Sequence, residues 1–230
     1  MKIYKYCPPK RNHLTNLVKS ELWFRSPNNF DDNLDSNLPH KQIPTIQIVN
    51  QFETDLNNYS IEVIKHLTPP KGLILPMQNP DDRSFENLFK NFKQNCIGIT
   101  CFTGKPSNKK MWNEFAENET GFCLGFETEN DNAFFRELEE VKYYKELPKP
   151  DYSNPILEKE LEINFLSKLS KYKFEEELRL IKLQSGGIRF NKESLQEIIL
   201  GRNISNYTEK RIMNILKGNY KHEIIVRKNI

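Results

Sequence analysis

The segment KLSKYKFEEELRLIKL, Lys168 to Leu183, sets three carboxylates directly before an apolar run. Its reading decides the fold. Extended backbone over 175–181 turns Glu175, Glu177, Arg179 and Ile181 to one face and Glu176, Leu178 and Leu180 to the other. One face of a strand then carries two carboxylates and a guanidinium. Such a cluster is either a structural ion-pair network or a polar site at the rim of a sheet.

Working outward, the chain reads as alternating strands and helices. Ile3–Tyr6 suits a first strand ending at Pro8-Pro9, followed by a short helix over 13–19 and an extended run at Leu22–Phe24. Residues 27–45 are rich in Asn, Asp and Pro and predict a loop, and 46–64 suggest helical packing before the prolines at 69, 70, 76 and 80. Phe85, Leu88, Phe89 and Phe92 recur at i, i+3, i+4 and i+7, which predicts an amphipathic helix packed on the core. Strands follow at 96–102 and 121–126, with a helix over 111–117 between them, then a helix over 132–138 and a strand over 139–143. Asn154-Pro155 reads as a helix start, and Leu157, Leu161, Phe165 and Leu169 continue it. Strands at 178–183 and 196–200, a helix from Asn206 with an Asn-x-x-Glu capping pattern, and a strand at 223–227 complete the chain. The expectation is a single α+β domain over 1–230, with a mixed, largely antiparallel central sheet flanked by helices.

Composition narrows the function classes. At 230 residues and 37% hydrophobic content the chain supports a substantial core. Its 34 basic against 31 acidic residues exclude the strongly basic footprint of a dedicated nucleic-acid binder, while leaving a local basic patch open. Cys7, Cys96, Cys101 and Cys123 match no zinc spacing, and the start has no apolar region of signal-peptide length, so a reduced, cytoplasmic protein is expected. No apolar run approaches the roughly 20 residues of a membrane span. The four histidines form no helical metal pair, and no metal site is expected from them.

Four blocks carry a resemblance to a large uncharacterised bacterial family known as a domain of unknown function. They are Ile3-Tyr4-Lys5-Tyr6; Leu22 through Asp32; Cys101-Phe102-Thr103 with Met111–Ala116 and Gly121–Phe126; and Lys168–Arg179, similar to a block written Lys-Ser-x-x-Trp-x-Tyr-Glu-x-Glu-x-Arg. More distantly, the opening strand, helix and strand with Arg25 and Ser26 at its end resemble the start of ADP-ribosyltransferases, including DNA-modifying toxins. That resemblance implies NAD as co-substrate and a toxin or phage-defence role, with a nucleic acid or protein as acceptor. It implies Glu177 as catalytic residue with Glu175 its partner, and Tyr6, Arg25, Ser26 and Arg179 as cofactor-binding. A carboxylate would stabilise the oxocarbenium-like centre as nicotinamide leaves.

Two other readings stand beside it. Glu114, Glu175, Glu177 and Asp32 would form an oxygen-ligand set for metal-dependent phosphodiester chemistry. Alternatively the Glu-Glu-Arg group is structural, in a noncatalytic recognition or regulatory module. Asp31 and Asp32 read as turn residues, Trp112 and Phe115 as helix-to-sheet packing, Cys101 as a small buried residue, and Lys168, Lys171 and Lys173 as a solvated helix face or phosphate contacts.

Overall fold

The central sheet has seven strands in the order β11-β10-β4-β1-β3-β8-β5. A computed structural model describes residues 1–41, 85–151 and 157–229 of the chain. The strands of this sheet are β1 (Lys2–Cys7), β3 (Gly98–Thr103), β4 (Phe122–Glu127), β5 (Leu138–Glu140), β8 (Glu177–Lys182), β10 (Leu195–Leu200) and β11 (Ile225–Lys228). Every neighbouring pair is antiparallel except β10 and β11, which run parallel. This is the mixed, mostly antiparallel α+β architecture the sequence predicts. Two small ladders complete it: β2 (Glu21–Phe24) pairs with β9 (Gly186–Arg189), and β6 (Lys142–Tyr144) pairs with β7 (Ser167–Leu169).

Alternation along β1 sorts the two sides of the sheet. Ile3 and Cys7 join the larger core with Leu14 and Leu17 of α1 (Arg11–Lys19) and Ile212, Ile215 and Leu216 of α6 (Asn206–Asn219). Edge-on phenylalanine pairs knit this core; Phe126 and Phe190 lie 5.1 Å apart at 88°, a favoured ring geometry. Tyr4 and Tyr6 turn the other way and pack with Trp112, which is fully buried on α3 (Lys109–Phe115). The Asn108 side chain caps α3 by accepting from the Lys110 and Met111 amides, and the Trp112 indole donates to the Pro106 carbonyl at 2.8 Å. A third cluster gathers Phe89 and Phe92 of α2 (Phe85–Asn95), Ile99, and Phe165 of α5 (Leu157–Leu166).

Several expectations are corrected. The helix expected to reach Leu169 stops at Leu166, because Ser167–Leu169 is extended and bonded to β6. The strand expected over 139–143 divides at Val141: Leu138–Glu140 joins β8, while Lys142–Tyr144 joins β7. The helix expected over 132–138 is the single turn α4 (Asn132–Phe135), capped by Asp131 accepting from the Phe134 amide. Ser205, rather than Asn206, caps α6 through its hydroxyl and the Thr208 amide at 3.1 Å. Strand β9 has no counterpart among the expected elements, since two consecutive glycines give no strand signal. The segments 46–64 and 69–80 and the Asn154-Pro155 helix start lie outside the described residues. Among the described residues no helix is long and apolar enough to cross a membrane.

Candidate functional site

The site follows from an irregularity in the sheet. β1 matches β4 at six positions, from Lys2 opposite Glu127 to Cys7 opposite Phe122, but meets β3 at one, Tyr4 opposite Thr103. Beyond that pair the strands part, and β3 is taken up instead by a bridge from Ile99 to Arg25, just past β2. A cavity of about 980 Å³ is lined there by residues from β1, β2, β3, the 30–35 loop, α3 and the 168–177 segment. Its size is near the upper end of the range of about 300–1,000 Å³ in which small-molecule sites fall.

The acidic segment forms one wall. Residues Ser170–Glu175 coil into a 3-10 helix, and Glu176 closes it in the left-handed region at φ 42°, its amide donating to the Lys173 carbonyl. That turn starts β8 at Glu177 and throws Glu176 outward onto the Lys105 ammonium at 2.6 Å. Glu175 and Glu177 therefore converge although only Glu177 lies in the strand. Between them stands the ammonium of Lys168, 2.5 Å from Glu175, 2.8 Å from Glu177 and 3.7 Å from Asp35.

Arg179, fully buried, locks Glu177 from the other side. Its Nε donates to Glu177 Oε1 at 2.7 Å, Nη2 to Asp35 Oδ2 at 2.9 Å, and Nη1 to the Ser36 hydroxyl and the Phe165 carbonyl at 2.9 and 2.7 Å. The Glu177 amide donates to the Tyr143 hydroxyl at 2.9 Å, which holds the strand entry in place. Nearby the Tyr172 hydroxyl donates to Asp32 at 2.9 Å.

The charges of this group do not balance if every member is ionised. Asp35, Glu175 and Glu177 supply three negative charges and Lys168 and Arg179 two positive, leaving one uncompensated negative charge. Buried net charge is costly, and a proton on one carboxyl removes it. The environment selects Glu175. Burial pushes its carboxyl up to about 7 against the pull of Lys168, with the neighbouring Glu177 charge and a hydrogen bond between the two carboxyls adding to the rise. Burial also acts to raise Glu177, but Arg179 and Lys168 outweigh it and hold that group well below the usual carboxylate range. Lys168 stays charged, because the three carboxylates around it overcome its burial. Burial, with the adjacent Glu177 charge, keeps the Cys101 thiol protonated.

The structure brings some of the sequence candidates together and not others. Glu175, Glu177, Tyr6 and Arg25 all line the cavity. The Tyr6 hydroxyl donates to the Lys105 carbonyl at 3.0 Å, and the Arg25 guanidinium grips Asp31 through two bonds of 3.1 Å at the exposed rim. Ser26 is buried beneath the rim, its hydroxyl donating to the Lys93 carbonyl at 2.8 Å. Arg179 stands behind Glu177 rather than on the cavity lining. Glu114 and Asp32 line the cavity, but among the described residues no group of three or more His, Cys, Asp or Glu is arranged to hold a metal ion. Lys168 occupies the place between the carboxylates that a cation would take. Reading Lys168 as a solvated helix face is thus corrected: it is sealed among acids, with its side chain 11% exposed. Trp112 packs in the core as expected, whereas Phe115 is exposed at the cavity edge. Asp35, Ser36 and Tyr143 had no distinguishing sequence signal, because their role depends on loop and strand partners more than 30 residues away.

The fold and wall define a class: an α+β protein whose central sheet parts beside a buried pair of carboxyls bridged by a lysine. The chain belongs to the family described as a protein of unknown function (DUF2971), whose model matches residues 111–226. The matched region carries the whole 168–179 wall, while Tyr6, Arg25 and Ser26 lie before it. No curated protein and no solved structure matches the chain.

Proposed function

We propose that the protein is an ADP-ribosyltransferase-like enzyme that uses NAD as co-substrate, with Glu177 and Glu175 as its catalytic pair. The observation that carries the reading is the convergence of two buried carboxyls on a cavity wall, both within 2.8 Å of the Lys168 ammonium and only Glu177 locked by Arg179. Environments that push paired carboxyls apart are the signature of assigned acid and base roles. Glu177 is a fixed anion, preorganised where positive charge develops on the ribose as the bond to nicotinamide breaks. The leaving nicotinamide takes the bonding pair, which neutralises its own ring nitrogen. Glu175, whose carboxyl burial pushes up to about 7, is suited in its ionised form to accept the proton of the acceptor nucleophile as it attacks the ribose carbon. Tyr6 and Arg25 offer an aromatic surface and a guanidinium to the dinucleotide, and Arg179 acts as a positioning residue for Glu177. The choice of NAD comes from the resemblance of the opening block and the acidic strand entry to those transferases, and the toxin or defence role from the same source.

Incubation of the full chain with labelled NAD and cell extract tests this. Nicotinamide release with label transferred to a protein or nucleic acid is expected; a folded protein that neither binds nor turns over NAD overturns it. A noncatalytic reading is favoured by one observation, the complete engagement of Arg179 with Glu177, Asp35, Ser36 and Phe165. It predicts that Glu175→Gln leaves every separable activity unchanged.

A further inference from the structure

The lining of the same cavity also carries a basic group, Lys5, Lys10 and His13. The register Tyr4–Thr103–Glu177 places the acid pair on the α3 side of the sheet, with Tyr4 and Tyr6. Lys5 alternates to the α1 side, yet it lines the same cavity, together with Lys10 and His13. The cavity therefore passes through the gap between β1 and β3. Lys5 spans that gap, its ammonium 3.2 Å from the Cys101 carbonyl and 5.5 Å from the Phe102 ring centroid.

Among the described residues, Lys5, Lys10 and His13 form no ion pair with a carboxylate. Glu21, which also lines the cavity, faces Lys19 at 3.9 Å and Arg189 at 3.6 Å. The three basic groups act on one another instead. Burial, then the charges of Lys5 and Lys10, push the His13 imidazole down to about 4, so it is a neutral hydrogen-bonding group beside two cations. Lys10 is also the N-cap of α1, which has no side-chain cap and no acid in its first turn, so the helix end adds its partial positive charge. Cations with no carboxylate ion pair among the described residues contrast with the acid cluster, where Lys168 is surrounded by carboxylates. Ammonium groups bind phosphate as point charges, so such a group on a cavity wall suits an anionic ligand.

We infer that the Lys5, Lys10 and His13 group on the cavity lining is a phosphate-binding subsite, receiving the phosphate of a ligand whose other end lies at Glu175 and Glu177. The inference deepens the proposed function by naming the ligand class, and NAD is one member of that class. It requires only that the cavity take a ligand, and it survives if the transferase chemistry does not.

Calorimetric titration of the full chain with ADP, adenosine and inorganic pyrophosphate tests it. ADP is expected to bind at least about tenfold more tightly than adenosine, the scale of one charge-assisted contact. Lys5→Gln is expected to weaken ADP binding by a similar factor and leave adenosine unchanged. Lys10→Gln, at an exposed position, is expected to leave the unfolding midpoint unchanged and to weaken ADP in the same direction. Equal binding of ADP and adenosine, no binding of ADP or pyrophosphate to the folded chain, or lysine variants that match the wild type would overturn the subsite. ADP binding that depends on Lys5, with no nicotinamide released from NAD, keeps the subsite and overturns the transferase reading. Nicotinamide release and NAD affinity unaffected by both lysine variants do the reverse.

Discussion

The two flanks of β1 are built differently. Toward β4 the strand is matched residue for residue over its whole length, and Phe122, Leu124 and Phe126 of its neighbour are buried in the large core. Toward β3 the ladder stops after one pair, and the space is lined by Lys5, Cys101 and the carboxyls of Glu175 and Glu177. One flank is held by apolar burial and a continuous ladder, the other by side-chain charge. A sheet anchored on one side of a strand can leave the other side open, and the opening is where the titratable groups collect.

The comparison is broken most sharply by removing a keystone from each flank. Arg179→Ala leaves Glu177 and Asp35 buried without their main counter-charge, and is expected to cost about 3–5 kcal/mol of stability in urea unfolding. Phe126→Ala on the closed flank is expected to cost a similar amount, about 3–5 kcal/mol, through the cavity it leaves. The two differ in what else they move. Arg179→Ala should raise the carboxyl titration of Glu177, read by carboxyl-labelled NMR, whereas Phe126→Ala should leave it in place. Equal effects on that titration would mean that the flanks are not separate.

A smaller effect comes from the proton on Glu175. Its folded value of about 7 lies above the ordinary 4.5, so the folded state binds the proton more tightly than the unfolded chain. Stability from this group is full below pH 4.5 and is lost as pH rises to about 7. Glu177 has the opposite sign: its contribution is present above the ordinary 4.5 and is lost as pH falls below it. His13, held down at about 4, contributes a rise over the same window, so the Glu175 effect is read as a difference: between pH 4.5 and 7 the urea midpoint of the wild type should fall relative to that of Glu175→Gln, which mimics the protonated acid. The smallest effect is expected at the rim. Asp31→Asn breaks only the solvent-exposed pair with Arg25 and should change stability by about 1 kcal/mol or less.

What could be read from sequence was what is local. Alternation assigned Glu177 and Arg179 to one face of β8 and Leu178 and Leu180 to the other, and Leu178 and Leu180 do pack on the large core. The helix at Phe85–Asn95 followed from its i, i+3, i+4 apolar spacing. Glu175 was grouped with Glu177 by extended-strand alternation, yet the convergence is made by the left-handed Glu176 and the shared Lys168, neither of which the pattern specifies. The parting of β1 from β3 was also illegible, because Lys5 and Tyr6 look like any other strand residues until their missing partner is seen. Tertiary pairing, rather than propensity, set those features.

If Glu175 and Glu177 divide one task on the wall of the open flank, Glu175→Gln removes one half of it and leaves the other in place. Transfer of label from NAD should be measured for wild type and variant, alongside NAD affinity and the unfolding midpoint. The variant is expected to fold and to bind NAD as the wild type does but to transfer label at least about 100-fold more slowly, the usual loss on removing a general base. A variant that transfers label at the wild-type rate, or a folded wild type that turns over no NAD, would contradict that division.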